Sequence, residues 1–94
     1  MAAIPSLRKA FKKLAADQRI TTWHTALCLS LYYLWTEHGT GKQVQVSRSS
    51  LMKLTHIRSI VTYHKCIAQL QEYGYIHYQP SYHPKQGSRV TLLF

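Results

Sequence analysis

The feature that most limits the folds open to this chain is a change of period at Gly74. Up to that residue, Ile60, Tyr63, Ile67 and Leu70 recur at the spacing of one helix face. Beyond it, residues 75–79 and 89–94 are rich in the β-branched and aromatic residues of strands, and the polar loop 80–88 joins them. A helix over about residues 58–73, stopped by the glycine, therefore runs straight into a two-stranded hairpin. Before it, Ser47-Arg48-Ser49-Ser50-Leu51-Met52-Lys53-Leu54 reads as a cap and a short helix, and Thr55-His56-Ile57 as a tight turn. Gln43–Val46 alternates polar and apolar, as a short third strand beside the hairpin would.

Upstream, Ile4, Leu7, Ala10, Phe11 and Leu14 recur at helical spacing, with Pro5 tolerated in a first turn. Arg8, Lys9, Lys12 and Lys13 occupy the remaining surface, which makes residues 6–16 a basic amphipathic helix. Residues 17–21 break the pattern, and Thr21 or Thr22 can cap the next helix. That helix, 22–37, is apolar nearly all round: Trp23, Ala26, Leu27, Cys28, Leu29, Leu31, Leu34 and Trp35. Such a helix is expected to be buried on both sides. A small domain covers about half its circumference, so the N-terminal helix or a second subunit must cover the rest. Gly39 and Gly41 end it. The chain thus divides into residues 1–20, helix and connector, and residues 21–94, the domain proper.

Charge narrows the partner. Twelve Lys and Arg stand against three acidic residues, a net charge of +9, while 46% hydrophobic residues mark a folded chain and not a disordered tail. A folded domain this basic points to nucleic acid first and an anionic membrane surface second; a solvated cationic surface is the plain alternative. Cys28 and Cys66 form no disulfide framework or metal knuckle, which fits a reduced intracellular setting. The start of the chain lacks the apolar run of a signal peptide, and the most apolar stretch, 26–35, is about half the length that spans a bilayer. A cytoplasmic, nucleoid-associated protein is expected.

The pattern Ser47-x-x-x-Leu51-x-x-Leu54, the junction Leu70-Gln71-Glu72-Tyr73-Gly74-Tyr75-Ile76, and the loop with Pro84 and Gly87 leading to Arg89-Val90-Thr91-Leu92 carry a resemblance. They resemble bacterial winged-helix transcription regulators, including those of the multiple-antibiotic-resistance-regulator type. They are similar, too, to small winged-helix proteins and replication initiators of plasmids and transposable elements. The resemblance covers about residues 22–94, and its junction motif is shared by many subfamilies. It implies a mainly α fold with a small antiparallel β-hairpin (α+β), a winged helix-turn-helix with an extra N-terminal helix, whose second helix enters the major groove. One departure concerns the turn Thr55-His56-Ile57, which lacks the small or glycine residue often found there and puts the helix crossing angle in question.

On a wheel of about 100° per residue, Arg58, Thr62, Lys65 and Gln69 form a stripe opposite the apolar face. Arg58 and Thr62 are the candidates for base edges, Val61 suits a thymine methyl and Lys65 a phosphate, and Ser59 is a further candidate DNA contact. Arg48, Ser49 and Lys53 on the shorter helix are candidate backbone contacts, whereas Ser47 reads first as an N-cap. In the loop, Lys85 and Arg89 supply charge for the backbone or the minor groove, and Tyr82 is expected to pack beneath it. Tyr73, Tyr75, Tyr78 and Tyr82 suit a stacking platform for single strands less well than the core and rim of a small sheet.

Six histidines and two cysteines match no zinc ligand spacing. Three isolated carboxylates give no acid/base pair, and no serine or cysteine stands in a nucleophile motif. No enzyme, cofactor, metal or small-molecule ligand is expected. The sequence favours a sequence-specific double-stranded DNA-binding protein, a regulator of transcription or of mobile-element maintenance. A protein-interaction module, or an architectural subunit of a replication or excision complex, is the alternative. A homodimer through the N-terminal helix and helix 22–37 would cover both apolar stripes.

Overall fold

The computed structural model describes residues 7–80 and 87–94. Their order is α1 (Leu7–Ala16), α2 (Thr22–His38), β1 (Gln43–Val46), α3 (Arg48–Thr55), α4 (Ile60–Glu72), β2 (Ile76–Gln79) and β3 (Ser88–Leu92). This is the expected α+β class, with the antiparallel β2–β3 pair last. The readings made for Ile4, Pro5, Tyr82, Pro84 and Lys85 lie outside the described residues.

Hydroxyl caps set three of the helix starts. Thr21 accepts from the His24 backbone N–H, Ser47 from that of Ser50, and Ser59 from that of Thr62. The cap at Ser59 corrects the expected start of α4: Arg58 lies outside the helix, one residue ahead of its cap. Ile60 is corrected as well. At the first helical position it is 49% exposed, and Ile57 from the preceding turn takes the core place at that end. The turn itself closes on His56 at φ 61, in the left-handed region where glycine is usual and histidine among the tolerated exceptions. His56 thus fills the turn position that a glycine often takes.

The sheet runs β1-β3-β2, both pairs antiparallel. Val44, Val46, Ile76, Val90 and Leu92 face inward and are buried. They meet Leu27 and Leu31 of α2, Leu51 of α3, and Tyr63, Ile67 and Leu70 of α4 in one core. Each fully buried aliphatic side chain stabilises by about 1.5–3 kcal/mol. The register puts Gln43, Thr91 and His77 in one row on the opposite face, and Gln45, Arg89 and Gln79 in the next. Gln71 Oε1 accepts the Tyr78 backbone N–H at 2.7 Å, so α4 shields the β2 edge.

α2 departs from the expectation of burial on both sides. His24, Leu27, Cys28, Leu31, Leu34 and Trp35 face the core, while Trp23, Leu29 and Tyr33 are about half exposed. The α1 stripe is divided in the same way: Ala10 and Leu14 are buried, Leu7 and Phe11 exposed. α1 is tied to the body through Tyr75, whose hydroxyl donates to Asp17 Oδ2 at 3.0 Å and whose ring lies 4.8 Å from Lys13 Nζ. The two exposed stripes are therefore not covered by each other.

Candidate nucleic-acid interface

Among the described residues no helix has an acidic side chain in its first turn. Helix N-termini carry partial positive charge and usually gain from a nearby carboxylate. Here α3 begins at Arg48, and Arg58 stands just ahead of the cap of α4. Cations at these positions oppose the helix dipole, a cost that an anion bound there reverses.

The outward face of α4 carries Val61, Thr62, Lys65 and Gln69 within an arc of about 100°. Val61 is 78% exposed, an isolated apolar side chain in open solvent. Lys65 and Arg58 are exposed, and Thr62 is half-buried. The Ser59 hydroxyl accepts from the Thr62 backbone N–H at 3.2 Å and keeps its own proton to donate outward. On α3, Arg48, Ser49 and Lys53 are exposed. Ser47 and Ser49 hydroxyls lie 3.5 Å apart, and Lys53 sits in the last turn, where a cation suits the dipole.

Gln69 is not a free member of the stripe. His24, 2% exposed, receives the Thr21 backbone N–H on Nδ1 at 2.8 Å, so its proton resides on Nε2. Nε2 then donates to Gln69 Oε1 at 2.8 Å. The Gln69 NH₂ group remains as a donor for a ligand. His24 was legible in part, because Thr21-x-x-His24 has capping-box spacing with histidine in place of the usual Glu or Gln. Its partner 45 residues away was not.

Arg89 stands on the solvent face of the sheet, between Gln45 and Gln79, beside a shallow notch lined by His38, Thr40 and Gln43. It is not gathered with the α4 stripe, whose helix packs on the core side. Lys85 lies outside the described residues. Gly87 returns the chain at φ +65, and a Cβ there would come within 2.6 Å of the Val46 carbonyl oxygen. The left-handed backbone and the nearby Val46 carbonyl together favour glycine at position 87.

Trp23 and Arg19 were missed as candidates. Trp23 flanks Thr62, since both residues line each of two adjoining notches. Arg19 holds Asp17 bidentately, at 2.9 and 2.8 Å, with its guanidinium carbon 4.2 Å from the Tyr73 ring centre. No sequence pattern places either beside α4.

Burial pushes the Cys28 thiol up to about 12 and raises that of Cys66 as well, so neither is a thiolate nucleophile. Among the described residues no three His, Cys, Asp or Glu gather to hold a metal, and no helix is long and apolar enough to cross a membrane. The chain matches no family model, no curated protein and no solved structure.

Proposed function

We propose that the protein binds double-stranded DNA as a winged helix, with α4 in the major groove, as a regulator of transcription or of mobile-element maintenance. The observation that carries this reading is the pair of arginines at the N-termini of α3 and α4, where carboxylates would stabilise the isolated fold. The net charge of +9 and the solvent-facing Val61 support it. In this reading Arg58 and Thr62 contact base edges and Val61 a thymine methyl. Ser59, Lys65, Arg48, Ser49 and Lys53 hold the backbone, while Arg89 on β3 and Lys85 of the 80–88 loop extend the contact, and Gln69 contributes its NH₂. The test is Arg58→Ala, which should cost about 1–3 kcal/mol on a selected site and relax sequence preference. Equal losses on selected and random duplexes would remove the groove assignment.

The half-exposed Leu7, Phe11, Leu29 and Tyr33 favour a second use of the same fold, contact with a protein. A second copy of the chain is the occupant proposed, because a dimer would set two α4 helices toward successive major grooves.

A further inference from the structure

We propose that the first turn of α2 and the outer face of α4 together form a seat for one backbone phosphodiester, walled by Arg19, Trp23, Lys65 and Gln69. The proposal rests on the DNA reading above and adds to it a contact outside the two helices of the helix-turn-helix pair.

A notch of about 200 Å³ lies between these elements. Its floor is His24 and Cys66, each 2% exposed, and its walls carry Lys65 and the Arg19 guanidinium, the latter paired with Asp17, which is not part of the lining. The Gln69 amide is oriented by His24, which engages its oxygen and leaves the NH₂ to donate. Arg19 is oriented by Asp17 and by the Tyr73 ring, with Nη1 left to donate. Trp23 separates this notch from a second, lined by Arg58, Ser59 and Thr62. An indole 52% exposed on that partition offers an apolar plate and one N–H. Cations, an amide NH₂, an indole N–H and an apolar plate complement a phosphate oxygen and the deoxyribose next to it. Thr21 and Thr62 complete the lining with hydroxyls that can donate to the same oxygen.

The experiment follows the two tryptophan indole N–H resonances and the Val61 amide by NMR during titration with a duplex, the Trp23 signal being identified through Trp23→Phe. Saturation is expected to move the Trp23 indole together with Val61. Arg19→Gln, checked for native circular dichroism, should make the slope of log affinity on log salt shallower by about 0.9. It should weaken all duplexes alike, by about tenfold at low salt. A Val61 shift with a still Trp23 indole and an unchanged salt slope in Arg19→Gln would overturn the seat and leave the DNA reading standing. Saturating duplex that moves neither signal would overturn both.

Discussion

His24 Nε2 donates to Gln69 Oε1 over 2.8 Å, joining the N-terminal turn of α2 to the outer side of α4. The same imidazole receives the Thr21 backbone N–H on its other nitrogen. One buried ring thus caps one helix and fixes the position of the next. His24→Ala should lower the unfolding free energy by about 2–4 kcal/mol, through the lost cap, the stranded Gln69 oxygen and the cavity. Urea unfolding measures it, and a loss below about 0.5 kcal/mol would deny the ring this role.

Asp17 gives a pH dependence with a definite sign. The side-chain and backbone hydrogen bonds of Arg19, aided by the Tyr75 hydroxyl, hold its carboxyl well below the usual carboxylate range. A depressed acid stabilises the fold above its unfolded pKa, and that contribution fades as pH falls through the folded one. Asp17→Asn should therefore reduce stability at neutral pH and make the acid limb of the stability profile shallower. Thermal melts across the acid range will show it; parallel profiles for the two proteins would argue against the pairing.

Among the described residues Tyr63 is the buried side chain whose polar atom lacks a hydrogen-bond partner. Burial pushes its phenol upward, and it is 1% exposed. Tyr63→Phe removes the stranded hydroxyl and keeps the ring, so the change should be neutral or stabilising by up to about 1 kcal/mol. A clear loss in chemical denaturation would mean that the hydroxyl has a partner in the folded protein.

The exposed Leu7 and Phe11 on α1, with Leu29 and Tyr33 on α2, underlie the dimer proposal. Leu7→Glu with Phe11→Glu should halve the mass seen by light scattering and leave the fold intact, since neither side chain is in the core. A wild type that is monomeric at tens of micromolar, on the order of a useful self-association constant, would contradict it.

Local signals carried much of the fold. Gly74, at φ +85, sits where the period changes, and Ser47 caps α3 as its hydroxyl suggests. The third strand pairs with β3 in the alternation that Gln43–Val46 displays. The misreadings share a cause. Extending the α4 wheel backward put Arg58 on the helix, because Ser59 fits an interior position nearly as well as a cap until the preceding turn is known. Arg89 follows Val90 and Leu92 by alternation, but which sheet face meets α4 is a tertiary fact. The nearness of Trp23 to Thr62 and of His24 to Gln69 depends on how α2 crosses α4, which no local pattern encodes.

The most direct test of DNA binding is the salt dependence of affinity for a duplex, read by fluorescence anisotropy from low to moderate salt. Seven of the twelve basic residues lie beyond Ile20. If roughly four to six phosphates are contacted at once, the slope of log affinity on log salt should be about −4 to −5 per chain, at about 0.9 per phosphate. A slope of that size supports the account; a flat response would contradict it and favour the protein-interaction reading.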